Sequence, residues 1–236
     1  MTNTARRFVG SRPWPHGERV TQPVHPPRGG AWALAGLLVA ASLALGGCAF
    51  VDKPSRPAVY DFGPGTLASS AAGNAASLGL VMLPDVDAGS ALDSTAVLYR
   101  LAYADAQQLL PYAHARWSMP PAQLLRQQLR ETLGQRGTVL VPGDGNVAST
   151  TPPLVLRIEL EEFSQLFDAP NRSVGLVRLR ATAVRSLASG DKVLGQRSFA
   201  VQRPAPTADA PGGVRALTAA THAAVEEVQQ WLTQLP

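Results

Sequence analysis

Residues 154–163 read LVLRIELEEF, and the fold turns on their pattern. Leu154, Leu156, Ile158 and Leu160 alternate with Arg157, Glu159 and Glu161. Successive side chains of a strand point to opposite faces, so this alternation predicts a strand with one face in a core and the other in water. On a strict two-residue period Glu159 and Glu161 share the wet face and Glu162 points the other way. The pattern recurs at VGLVRLRATAVRS (174–186), where Val177, Leu179, Ala181 and Ala183 oppose Arg178, Arg180 and Thr182. SGDK (189–192) is a turn signal, and KVLGQRSFAV (192–201) returns as the third strand of a meander. Strands with one wet face imply an antiparallel sheet with helices on a single side.

Upstream the period changes. In SMPPAQLLRQQLRETLGQRG (118–137), Ala122, Leu125, Leu129 and Leu133 recur every three or four residues and predict a surface helix, with Arg126, Arg130 and Arg136 outward. Ser118 is the expected N-cap, Pro120 and Pro121 fit a first turn, and Gly134 or Gly137 can end the helix. A second amphipathic helix is expected over the last 22 residues, from the spacing of Val214, Leu217, Thr221, Val225, Val228, Leu232 and Leu235. Further strands are expected at LGLVMLP (78–84), VLYRLAY (97–103) and TVLVP (138–142), with GDGN (143–146) as a turn. QQLLPYAHARW (107–117) reads as a short irregular edge strand, where Pro111 is tolerable. The expected class is α+β: a mainly antiparallel or mixed sheet with two amphipathic helices packed on one face, in a single domain over residues 78–236.

The first 77 residues read differently. Residues 1–47 hold five Arg and one Glu, which is the whole net charge of +4; from Cys48 onward 14 Arg and two Lys balance 10 Asp and six Glu. Without its leader the chain has no electrostatic case for nucleic acid, which requires clustered cations to displace phosphate counterions. Residues 31–45, AWALAGLLVAASLAL, follow an Arg- and Pro-rich start and precede the single cysteine. That order predicts a signal peptide over residues 1–47 with a long n-region. A signal anchor is the alternative, since Ala31–Val51 carries no charge and is long enough to span a bilayer. Residues 48–77, dense in Pro, Gly, Ala and Ser, read as a tether with room for one short ordered piece at AVYDF (58–62).

A catalytic constellation is hard to assemble. The two histidines after Cys48, His114 and His222, lie in no metalloprotease or nucleophile-turn motif. GPG (63–65) and GDG (143–145) lack the strand-glycine-helix context of a phosphate loop. One cysteine makes no intramolecular disulfide, and no Cys/His cluster has zinc spacing. No cofactor is expected. A membrane-tethered hydrolase would have to rest on His114, Glu159 or Glu161, with no nucleophile-base pair in view.

Leu45-Gly46-Gly47-Cys48 resembles the bacterial lipobox, which implies a covalent lipid on Cys48 and cleavage just before it. Ala49 after the cysteine implies, by resemblance to enteric sorting, the periplasmic face of the outer membrane, with the inner membrane as the alternative. Together with Tyr60-Asp61-Phe62-Gly63-Pro64, the run LYRLAYADAQQLLPYAHARWSMPPAQLLRQQL (98–129), the meander and the last helix, the chain resembles the ABC-type transport auxiliary lipoproteins, the paraquat-inducible protein C-like family. The resemblance implies a non-catalytic component working with an MCE-domain protein and an ABC permease and ATPase. Its cargo would be phospholipid or another hydrophobic molecule, moved between membranes. Membrane attachment through acyl chains is implied, and a homo-oligomer is possible. Tyr99, Tyr103, Tyr112, Trp117 and Trp231 are the candidate interface aromatics, with core packing as their competing role. The alternative function is an outer-membrane lipoprotein that itself holds a lipid or acyl chain.

Overall fold

The computed structural model describes residues 56–65, 77–144, 152–187 and 189–236. The expected signal peptide, Cys48, most of the tether and residues 145–146 of the GDGN turn lie outside the described residues. Pro54–Pro236 is one compact unit. Among the described residues nine strands form one mixed sheet: β1 (Ala58–Tyr60), β2 (Gly79–Met82), β3 (Asp87–Ala88), β4 (Ala96–Leu101), β5 (Ala106–Trp117), β6 (Gly137–Leu140), β7 (Leu154–Ala169), β8 (Arg172–Leu187) and β9 (Gly190–Pro204). The helices are α1 (Ala102–Asp105), α2 (Pro121–Gly134) and α3 (Ala210–Leu232).

The meander is β7–β8–β9, antiparallel throughout. On its other flank β7 is shared by three strands, all parallel to it: β2 at Leu154–Val155, β3 at Glu159–Leu160 and β4 at Gln165–Phe167. β6 extends the sheet from β2, while β5 and then β1 extend it from β4. AVYDF therefore supplies a true strand, in parallel register with residues 115–117. β5 is longer than the sequence implies, at 12 residues, and irregular as expected, its register against β4 slipping between the Ala96–Arg116 and Leu98–Pro111 pairs. Pro111 sits opposite Leu98, and β1 pairs only at 115–117, so the flank at Pro111 faces no described strand. A missing N–H is tolerated there.

The alternation in LVLRIELEEF holds through Leu160 and then slips. Leu160 pairs with Leu179 and Glu162 with Arg178, so Glu161 is the extra residue of a bulge. The slip corrects the expected position of Glu162. It falls on the same side of the sheet as Arg178, its register partner, but is itself buried there, and Phe163 turns into the core opposite Val177.

Both amphipathic helices pack over the core face. α2 buries Ala122, Leu125, Leu129 and Leu133 as the periodicity predicts, together with Leu124 and Thr132. Its start differs: Pro120 is the N-cap with no side-chain cap, while the Ser118 N–H donates to the Tyr60 carbonyl at 2.7 Å. Pro121 has no N–H to satisfy, so the first turn forms without a capping side chain. α3 starts four residues ahead of Val214, because the Asp209 carboxylate accepts from Gly212 N–H at 2.8 Å and caps it. Gln229 Nε2 donates to the Thr132 carbonyl at 2.7 Å and ties the two helices together.

Candidate docking groove and aromatic network

β1 is an outer strand of the sheet, and the five residues from Val59 to Gly63 form one wall of an open groove. The other wall is the first half of α3, presenting Val214, Arg215, Thr218, Ala219 and His222. Its volume is about 500 Å³. Phe62 forms the floor: its ring lies 5.7 Å from Trp117, 6.3 Å from Phe163 and 6.3 Å from His222, centroid to centroid. Asp61 Oδ1 accepts from Gly63 N–H at 2.8 Å, and Gly63 takes φ +82°, which a residue with a Cβ adopts only under strain. The wall carries one cation, Arg215, and one carboxylate, Asp61, among small or apolar neighbours. Such a groove suits a protein segment or a lipid tail.

A second cluster joins β4, β5, β7 and β8. The Tyr99 and Tyr112 rings stand 4.6 Å apart, and the Tyr112 hydroxyl donates to Gln165 Oε1 at 2.8 Å. Gln165 Nε2 in turn donates to Ser173 Oγ at 2.8 Å. Burial pushes the Tyr112 phenol well above its ordinary range, and the neighbouring Tyr99 and Asp209 add to the shift. Gln165 and Ser173 are buried, so the chain of hydrogen bonds satisfies polar groups that would otherwise destabilise the core.

The five aromatics named from sequence thus divide. Trp117 is 2% exposed and packs on Phe62 and Phe163. Trp231 is 8% exposed and packs against Phe199 at 6.0 Å. Tyr99 and Tyr112 are half-buried in their network. Tyr103, on α1, is 47% exposed. The structure brings Tyr99 and Tyr112 together and leaves Tyr103, Trp117 and Trp231 in separate places. Phe62 and Gln165 were missed by sequence reasoning. The signal for Phe62 was its place in AVYDF, two residues past a Tyr that pairs with Trp117.

The wet face of β7 and β8 is laced by ion pairs. Glu161 accepts from Arg178 Nε at 3.0 Å and from Arg180, which also approaches Glu159. Glu162, beneath them, accepts from Arg100 at 3.0 and 3.3 Å and from Ser164 Oγ at 2.6 Å. His114 lies on β5, separated from the β7 carboxylates by β4. Among the described residues no group of His, Cys, Asp and Glu side chains has the arrangement to hold a metal ion, and no helix is long and apolar enough to cross a membrane.

The fold is an α+β domain with a mixed sheet, two covering helices and an open groove beside β1. The model of the ABC-type transport auxiliary lipoprotein component family matches residues 60–229, and the chain belongs to that family. It is accordingly one of the lipoproteins of the cell envelope that assist ABC-type transport. No curated protein sequence matches it. Among solved structures it is similar to protein XCC0632 from Xanthomonas campestris, at 18% identity over 66% of this chain and 85% of that one, with a TM-score of 0.56. An uncharacterised protein matches at 12% identity over 75% of this chain and 99% of that one, with a TM-score of 0.53. At these identities the likeness is one of fold.

Proposed function

We propose that the mature protein is a non-catalytic docking component of an ABC transporter and MCE-domain system, anchored by a lipid on Cys48 at the periplasmic face of the outer membrane. In that role it helps move phospholipid or another hydrophobic cargo between membranes, holding the transport partners near the bilayer without processing the cargo. The observation that favours docking over carriage is the filled interior. Leu125, Leu129 and Leu133 of α2, Leu156 and Ile158 of β7, Leu179 of β8 and Leu217 and Val225 of α3 are all at most 2% exposed and occupy the space between sheet and helices. A carrier needs a cavity that buries most of its ligand, typically about 300–1,000 Å³ and enclosed. The groove beside β1 is large enough but open along its length.

Native mass spectrometry of the protein extracted from its own membranes in mild detergent tests this. The proposal expects complexes with MCE-domain or ABC subunits and no stoichiometric lipid beyond the covalent acyl chains. A one-to-one non-covalent phospholipid adduct on the isolated chain would overturn it in favour of a lipid carrier.

A further inference from the structure

The position of β1 limits how far the domain can stand from the bilayer. Ala58 is the tenth residue after Cys48, and ten residues of fully extended chain span at most about 36 Å. β1 runs parallel to the end of β5, with Ala58 beside Ala115, so the chain enters β1 from the side on which β5 begins. From Ala115 back to Ala106, where β5 starts, is about 30 Å at the rise of a strand. The end of the domain that holds α1 therefore lies almost at the limit of the anchor's reach. Any slack in the chain brings it closer to the membrane.

That same end carries the exposed aromatic. Tyr103 sits in Ala102-Tyr103-Ala104-Asp105-Ala106, and the exposed run continues through Gln108. β4 and β7 are parallel with Leu101 beside Phe167, so the β7–β8 turn, with its Asp168–Arg172 pair, is at this end too. Tyr buries an apolar ring while keeping its hydroxyl wet, the property that concentrates it at headgroup level. The β8–β9 turn, with Leu187 and Val193 exposed, lies at the opposite end of the meander. From β1 it is about 30 Å along the strands, on the side away from the chain's entry, so the anchor would have to double back and use nearly its whole contour to bring that turn to the bilayer.

We propose that the α1 turn is the membrane-contacting surface of the domain, with Tyr103 seated in the headgroup layer. This rests on the reading of Cys48 as the lipid attachment point. The domain then stands with α1 and the N-terminus of α3 toward the bilayer and the β8–β9 turn away from it.

The test uses the full lipidated chain in vesicles of phosphatidylethanolamine and phosphatidylglycerol. With Cys48 acylated, Tyr103→Cys or Ala104→Cys supplies the one free thiol for an environment-sensitive fluorophore, and Val193→Cys supplies the distal control. Headgroup-depth quenching by spin-labelled lipid should be several-fold stronger at 103 and 104 than at 193, with blue-shifted emission at the first two. Equal and weak quenching at all three sites, in protein that floats with the vesicles, would overturn the orientation while leaving the anchor intact. Failure of wild type to float would overturn the anchor and the orientation together.

Discussion

Gly213, in the first turn of α3, lies so close to Gln165 of β7 that a Cβ on it would overlap Gln165 Oε1. That oxygen already accepts the Tyr112 hydroxyl, so one atom joins the helix terminus to β7 and β5. A second contact of this kind follows on the same helix: a Cβ on Gly175 would lie 2.5 Å from main-chain atoms of Ala216 and Leu217. The two glycines let α3 settle directly onto the sheet.

Gly213→Ala gains about 1 kcal/mol of helix propensity. The overlap costs about 1–3 kcal/mol and displacing the Gln165–Tyr112 hydrogen bond about 1 more. The expected outcome of urea unfolding is a net loss of about 1–3 kcal/mol. Gly175→Ala should lose more, because the opposing atoms are backbone and cannot rotate away. Equal or greater stability of Gly175→Ala would contradict this account of the packing.

Asp209 caps α3. Hydrogen bonds from the Thr207 hydroxyl and then from Gly212 N–H hold its carboxyl below the ordinary value of 3.8. A carboxylate whose pKa is lowered by folding stabilises the fold above its unfolded pKa. That contribution is lost as pH falls through the folded value. Asp209→Ala should cost about 1 kcal/mol at neutral pH. Unfolding midpoints measured from pH 7 downward should show wild type and variant converging below the unfolded pKa.

Phe62 holds β1 to the core by packing on Trp117 and Phe163. Phe62→Ala should lower stability by about 2–3 kcal/mol, near the lower end for a buried Phe because the ring is only half-buried. Trp117 would gain solvent, so its emission should shift to longer wavelength. Unchanged emission would mean that β1 is held without Phe62.

Arg100 and Glu162 form a mostly buried pair across β4 and β7. Arg100→Met leaves the Glu162 carboxylate with Ser164 alone and should destabilise by about 3 kcal/mol. Adding Glu162→Gln should recover part of that loss, since it removes the unpaired charge. A double-mutant cycle in urea gives both values, and additive effects would contradict direct coupling.

The meander and both helices were legible because periods of two and 3.6 survive in the sequence wherever one face is wet. Even the bulge left a trace: Leu160 and Phe163 are three residues apart, and a strand can send both inward only by inserting a residue. The parallel pairings of β2, β3 and β4 with β7 were not legible. They join segments dozens of residues apart, and no local pattern records which distant strand a flank receives. The ordering of β1 was half-legible, since AVYDF reads as one short ordered piece in a tether, but neither its strand nor its partner beyond Pro111 is written in the local pattern. Trp117 was prominent as an aromatic before a helix, yet burial is decided by what lands on it, and that is Phe62.

The docking claim is tested most directly by affinity purification of the tagged full-length protein from its native membranes, with co-purifying proteins quantified by mass spectrometry. The account predicts an MCE-domain protein and ABC subunits enriched in fixed proportion to the bait. Recovery of the bait as a chain free of both, from membranes in which those proteins are abundant, would contradict it.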